Sequence, residues 1–514
     1  MPLTESVPAD PGSAVTTESP RDGRQWLLPV VVAVLSAGAF ALFRPHLIDD
    51  TFITLSYARN LAFHGHWGLI ELGTSNTATS PLSVLVLGAL TFVVRNAVLA
   101  AGILYVLCQV VIAAGLRRVG DRAGLPSWFS PLAVLLLTVN PLLISSIGLE
   151  VEFGAAAVVA LLVFAVERRP VLLGVAAGVL VLIRVDLVLL ALAIFLLRKR
   201  FWAGMGKSVL AALVVTVPWF AFSWVVLGSA VPDTLIIKTL QKSWGAYDFS
   251  NGPVLYAGEY PWATWLSFLP AALGALAFLG WLATLARRGP ASAALLPFGA
   301  LVPAGVLHYL AYSRLHVPPY HWYYGPSIVV TTIFLAAAVA ALAGRAPVPL
   351  RRAGGIPAAL AAAALVVAGV GNYVSTGLPR AFAPIMSNHT TTAQYEQIGA
   401  ELGKLVGRGT VRSGGEIGVL AYSCGCSIVD LFDDRGAVGP AIEQRKATTS
   451  ELGQKLIDLN FEYFDYGVPP ITPEFALTPT RLGQPAPANA LAHWRIASPW
   501  AGTQELYLVR ADGA

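Results

Sequence analysis

Two adjacent carboxylates, Asp49 and Asp50, stand just beyond the first long apolar stretch, in the run FRPHLIDDTFITLSYARNLAFHGHW. Charges at a membrane boundary are costly unless they face water, a cation or a reacting group. One of the pair could take the proton from an attacking hydroxyl, with Asp49 the favoured base. The pair could also hold a divalent cation. A plainer role is open as well, because Asp is a good N-cap and the following TFITLSYARNLAFHG is patterned as an amphipathic helix.

Further polar groups interrupt apolar sequence. The small-hydroxyl stretch from Gly73 to Pro81, which includes Thr79 and Ser80, precedes the short apolar segment 81–94, whose N-terminus could bind a phosphate. Glu150, in GLEVEF, is either a carboxylate between helices or an acceptor for a substrate hydroxyl. Arg184-Val185-Asp186 is either an internal ion pair closing a hairpin or a cation for a lipid phosphate held by its neighbour. Lys238, in the loop GSAVPDTLIIKTLQK, would suit an anionic partner or lipid headgroups. The run from His316 to Tyr324 holds His316, His321, Tyr323 and Tyr324; it reads as an interfacial aromatic belt or as a stacked wall for a sugar, with His near a phosphate. Its two histidines are poorly spaced for a helical metal pair. Cys108 reads as a core residue, while Cys424 and Cys426 are either free thiols or a local bridge.

These groups must be positioned by membrane-spanning helices. Of the 514 residues 56% are apolar and only 12% charged, and mean hydropathy is +0.66. Ordinary soluble domains carry about 25% charged residues, so the chain reads as a polytopic α-helical membrane protein. The net charge of +5 lies in short clusters between apolar runs, which are orientation signals rather than a nucleic-acid surface. Candidate spans are 25–43, 97–116, 129–147, 152–167, 171–184, 186–197, 205–227, 263–286, 292–312, 323–343 and 355–376, about eleven in all. Segment 81–94 is too short for an ordinary span and reads as re-entrant or interfacial. With it left out, Arg21/Arg24, Arg117/Arg118/Arg122, Arg168/Arg169, Arg198/Lys199/Arg200, Arg287/Arg288 and Arg345/Arg351/Arg352 all fall on one side, the cytoplasm by the positive-inside rule. The polar features of the preceding paragraphs then share the outer face. The expected organisation is a disordered cytoplasmic tail at 1–24, a membrane domain at 25–376 and a small extracytoplasmic α/β domain at 377–514.

Taken in order, the motifs resemble those of the GT-C superfamily of polytopic glycosyltransferases. More narrowly, they are similar to the actinobacterial terminal β-(1→2)-arabinofuranosyltransferase branch. The resemblance rests on Asp49-Asp50, Tyr57-Ala58-Arg59-Asn60, Thr79-Ser80-Pro81-Leu82, Gly148-Leu149-Glu150, His321 to Tyr324, Gly415-Glu416-Ile417-Gly418 and Val429-Asp430-Leu431. Two steps depart from it: Val185 stands where Pro is expected, and Asp233 where Asn is expected. The resemblance implies a membrane-embedded transferase at the plasma membrane, taking arabinofuranose from decaprenyl-phospho-arabinose to a cell-wall polysaccharide, arabinogalactan or lipoarabinomannan. It places Asp49 and Asp50 on the acceptor side. Arg59, Arg184, Lys238 and His321 are candidates for the phosphate or sugar, and Tyr323 and Tyr324 for the sugar site. A polyprenyl-phospho-mannose donor and a polyprenyl-lipid flippase are the competing readings; the chain has no internal repeat of the kind common in transporters.

Overall fold

The computed structural model describes residues 26–197, 204–286, 289–375 and 382–511. The expected tail at 1–24 and the basic clusters Arg21/Arg24, Arg198/Lys199/Arg200 and Arg287/Arg288 lie outside the described residues.

The first helices are α1 (Leu27–Phe43), α2 (Asp49–His64), α3 (Pro81–Val94), α4 (Ala97–Ala123), α5 (Phe129–Thr138), α6 (Pro141–Ser145), α7 (Val151–Val166), α8 (Pro170–Ile183) and α9 (Val188–Leu196). Then come α10 (Met205–Val226), α11 (Thr234–Gln241), α12 (Gly252–Glu259), α13 (Pro261–Leu285), α14 (Pro290–Leu295), α15 (Leu301–Leu315), α16 (Gly325–Arg345), α17 (Val348–Leu350) and α18 (Ile356–Ser375). Among the described residues, six helical stretches are each long and apolar enough to cross a membrane: 27–46, 97–123, 205–226, 261–285, 321–345 and 348–375. A bent pair, 290–298 with 301–315, makes a seventh candidate. The remaining expected spans fall on shorter apolar helices, α5 to α9, and segment 81–94 is indeed the separate 14-residue helix α3.

Local chemistry sets several breaks. The expected span 129–147 is split between α5 and α6 because Asn140 accepts from the backbone N–H of Leu142 and Leu143 and precedes Pro141, a residue suited to the first helical turn. The same Asn140 amide donates to the Ser267 carbonyl at 2.9 Å, which ties the break to α13. Helices α8 and α10 pack through Gly174 and Gly178. A Cβ on Gly174 would stand 2.0 Å from the Ser208 carbonyl oxygen, and one on Gly178 would stand 2.8 Å from the Val215 Cβ. This is the small-xxx-small spacing by which membrane helices approach closely.

The C-terminal part holds α19 (Thr392–Val406), α20 (Gly418–Cys424), α21 (Arg435–Ala447) and α22 (Glu451–Asn460). Its strands are β1 (Thr410–Arg412), β2 (Ser427–Val429), β3 (Phe475–Arg481), β4 (Ala490–Ser498) and β5 (Gly502–Arg510). They form one mixed sheet in the order β2-β1-β3-β5-β4, with β1 parallel to β2 and β3 and the other pairs antiparallel. Cys424 and Cys426 are joined as a disulfide at the end of α20, and Cys108 is a buried free thiol.

The sheet domain docks directly on the helical bundle. The Arg59 guanidinium donates to the Tyr422 carbonyl at 2.6 Å, and Phe52 meets the Tyr422 ring edge-on. Arg435 donates to the Leu227 carbonyl at 2.8 Å, and the Ile385 amide donates to Ser145 Oγ at 3.0 Å. At the other end of the bundle Glu167, with its side chain almost fully buried, gathers Arg118, Arg122 and Arg169.

Candidate functional site

The site is built where the N-terminus of α2 meets the sheet domain. Asp49 turns toward the sheet domain. Its Oδ2 accepts from the amides of Ile417 and Gly418 at 3.1 and 2.8 Å, and its Oδ1 from that of Val419 at 2.8 Å. These are the orphan donors at the start of α20, for which a carboxylate is the natural partner. Only glycine fits at 418, since a Cβ there would lie 1.9 Å from the Asp49 carbonyl oxygen. Both oxygens of Asp49, expected as the favoured base, are thus engaged, and the side chain clamps the sheet domain to α2.

Asp50 is the free member of the pair. It is half-buried, and no side chain among the described residues hydrogen-bonds it. Burial pushes its carboxyl up to about 6; Lys238 opposes this, while Asp49 and Glu150 add to it. Lys238, on α11, is buried. It donates to the Tyr320 hydroxyl at 2.5 Å and lies 3.8 Å from the centre of that ring and 4.8 Å from the Phe432 ring. Burial lowers its ammonium to about 8, against the attraction of Asp50 and Asp430. Asp430, on the turn after β2, is itself pushed up by burial.

The hydroxyl-rich turn positions this lysine. Tyr57 OH bonds Ser75 Oγ at 2.6 Å and Thr77 Oγ1 at 2.9 Å. Thr77 Oγ1 donates to the Phe432 carbonyl at 2.6 Å, and Thr234, at the start of α11, donates to the Thr77 carbonyl at 2.5 Å. Asn76 donates to Ser223 and Ser229, and Ser229 Oγ donates to Asp233 at 2.6 Å. The Asp at 233 thus has a partner of its own. Thr79 is half-buried in this turn, and Ser80 donates to Ser83 at 2.5 Å within its own helix. These bonds make the turn a scaffold for α11, in keeping with the plainer loop reading of the stretch.

A third group is a buried ion network. Arg184 donates to Glu150 at 2.5 Å, to Asp186 at 2.9 Å and to the Tyr312 hydroxyl at 2.5 Å, and its guanidinium faces the Tyr323 ring at 5.1 Å. Asp186 also meets His308 at 3.2 Å. All three nitrogens of Arg184 are engaged, so the internal ion pair is the reading the geometry favours over a free phosphate cation. The network lines a tight cleft of only ≈ 10 Å³ with Tyr312, Trp322 and Tyr323.

Other expected site residues fall elsewhere. Arg59 serves the docking interface. His316 is exposed and pairs with Asp248 at 2.9 Å on the rim. His321 is fully buried behind the site, edge-on to Tyr256 and Trp322. Tyr324 is fully buried, stacked on Phe249 at 4.3 Å, and donates to the Phe249 carbonyl. Sequence reasoning missed Tyr312 and His308, which lie in an otherwise apolar helix, and did not single out Tyr320 or Asp430 as site groups. For the last two a signal existed, in VPPY and in the acidic run DLFDD. Among the described residues, no three His, Cys, Asp or Glu converge as a metal-holding group.

The arrangement sets one free carboxylate beside one buried ammonium, with aromatic walls and a fixed ion network behind. It can accept a proton and hold an anion in the same small volume. No family model matches the chain, and no curated protein matches it by sequence. Among solved structures, ArnT from Cupriavidus metallidurans in the apo state is similar over 94% of this chain and 97% of that one, with a TM-score of 0.55 at 14% identity. The apo Archaeoglobus fulgidus oligosaccharyltransferase is similar over 88% of this chain and 69% of that one, with a TM-score of 0.48 at 12% identity. At 14% identity the likeness to the ArnT structure is one of fold: here, a bundle of apolar helices carrying a small C-terminal sheet domain.

Proposed function

We propose that this chain is a multi-pass membrane glycosyltransferase that moves arabinofuranose from decaprenyl-phospho-arabinose to a hydroxyl of a cell-wall polysaccharide. The observation that carries the reading is the nearness of Asp50 and Lys238 beneath the sheet domain, not in a direct ion pair but close enough for each charge to bear on the other's acidity. In the proposed reaction Asp50 takes the proton of the acceptor hydroxyl as its oxygen bonds the anomeric carbon. The bond from that carbon to the lipid phosphate breaks, and Lys238 holds the departing phosphate charge. Lipid phosphate is already a good leaving group, so positioning and charge stabilisation are the larger demands on the protein. Tyr320 orients Lys238, and Tyr323 with Trp322 offers ring surface for the sugar. Glu150 and Arg184 fix the floor of the cleft, and the Glu150 charge acts on Asp50.

The glycosyltransferase reading is supported by the GT-C fold, and the arabinose reading by the ordered motifs from Asp49-Asp50 to Val429-Asp430-Leu431. An outer-face site with a cytoplasmic N-terminus is supported by the gathering of Arg118, Arg122 and Arg169 at the opposite end of the bundle, as the positive-inside rule expects. The test supplies purified chain in liposomes with radiolabelled decaprenyl-phospho-arabinose or polyprenyl-phospho-mannose and an arabinan acceptor. Transfer of arabinose, abolished by Asp50→Asn, is the expected result. Transfer of mannose alone would overturn the donor assignment, and lipid movement without an acceptor would overturn the enzyme assignment.

A further inference from the structure

Helix α22 belongs to the sheet domain by sequence position, yet it is apolar on two faces. Ile457 packs toward the small cluster of Val438, Ile442, Phe461 and Phe464. On another face Leu452, Leu456 and Leu459 are 68%, 58% and 54% exposed. Their spacing of four and then three residues places them on one stripe. The charges of the helix are paired off beside it, Lys455 with Glu451 at 2.9 Å and Asp458 with Lys446 at 2.7 Å.

The position of α22 says what covers that stripe. Trp224, in the last turn of the membrane-spanning helix α10, donates its indole N–H to the Leu459 carbonyl at 2.8 Å, and its ring meets Tyr463 edge-on at 5.2 Å. Asn460 exchanges two hydrogen bonds with the backbone of Val231, just beyond α10. Val225 and Val226, which end α10, are themselves exposed, as are Tyr463 and Tyr466 beyond α22. The leucine stripe therefore continues the lipid-facing surface of α10 at the depth where aromatic rings mark a membrane boundary. An apolar cavity of ≈ 440 Å³ runs between α22 and α11, lined by Trp224, Pro232, Leu235, Leu456, Ile457 and Phe461.

We infer that α22 is an interfacial helix, with Leu452, Leu456 and Leu459 seated in the acyl region of the bilayer. Its length of about 15 Å lies along the membrane surface. The sheet domain is thereby held to the lipid as well as to the bundle, on the side that carries α11. This inference stands independently of the reaction proposed for the site.

The test places a nitroxide at Leu456→Cys, and separately at Leu452→Cys and Asp458→Cys, in the full chain reconstituted in phosphatidylglycerol–phosphatidylcholine liposomes. Cys108 is buried and Cys424 is bonded to Cys426, so the unsubstituted chain serves as the blank. At 452 and 456, collision with oxygen should exceed collision with a water-soluble nickel chelate several-fold, and at 458 the order should reverse. Greater collision with the chelate at 452 and 456 would mean a solvated helix and overturn the inference. Low collision with both reagents, as under a second protein copy, would overturn it too.

Discussion

Asp49 and Asp50 are neighbours in sequence with separable roles, and substitution tells them apart. Asp49 accepts three backbone N–H groups at 2.8 to 3.1 Å, all at the buried start of α20. Asp49→Ala strands those donors, at roughly 1–3 kcal/mol each, or about 3–5 kcal/mol in total once water relaxes into the gap. Asp49→Asn keeps one carbonyl oxygen but turns an NH₂ toward a donor, so it should lie between wild type and Ala. Burial weakens the acidity of both carboxyls, to about 7 for Asp49 and about 6 for Asp50, but Asp50 holds no comparable set of backbone donors to strand, so at neutral pH its ionised group works against folding with nothing to offset it. Asp50→Asn should therefore leave thermal unfolding unchanged or slightly raised, while transfer falls roughly 10²–10⁴-fold with loss of the base. The assay is paired: unfolding followed by tryptophan fluorescence in detergent, and sugar transfer from the lipid donor at a temperature where every variant is folded. If Asp50→Asn retains full transfer, or if Asp49→Asn loses transfer with unaltered unfolding, the division of labour is wrong.

Three further outcomes are expected. The pH profile of kcat/KM should be bell-shaped: activity rises as Asp50 loses its proton near pH 6 and falls as Lys238 loses its charge near pH 8. Lys238→Arg should carry the alkaline limb upward, and a flat profile between pH 5 and 9 would exclude both groups. Arg184→Met leaves the buried Glu150 and Asp186 without their cation, so stability should drop by about 3–5 kcal/mol, seen as an earlier thermal transition; an unaffected transition would show that the network is not integral to the fold. Gly174→Leu should separate α8 from α10, because even a Cβ meets the Ser208 carbonyl at 2.0 Å, and the variant should lose its monodisperse peak in size-exclusion chromatography.

The bundle was readable in outline from apolar run length: most expected spans fall on one helix, while 129–147 is split between α5 and α6 and 292–312 falls on a bent pair. Its breaks were less so: Asn140-Pro141 signals a cap, but the tie to Ser267 that fixes the break is distant in sequence. The site was readable in part. Asp50, Glu150, Arg184, Lys238 and Tyr323 stand out as polar or aromatic groups flanking apolar sequence, and the fold brings them together. What the sequence could not order was the acidic pair itself. The choice between Asp49 and Asp50 depends on amides at 417–419, beyond the last span. Likewise the histidine–tyrosine run offers several aromatic residues of similar type, and only packing separates Tyr320 and Tyr323, which face charged groups, from Tyr324, which stacks in the core.

The clamp from Asp49 to α20 joins the first loop of the chain to a segment 368 to 370 residues later. During synthesis the N-terminus of α2 leaves the ribosome long before its partner amides exist. Until the sheet domain has been translated and folded, α2 has nothing to hold Asp49, and Asp430 is not yet beside Lys238. A chain at that stage carries most of the bundle but an unfinished centre, which is completed only when the sheet domain docks.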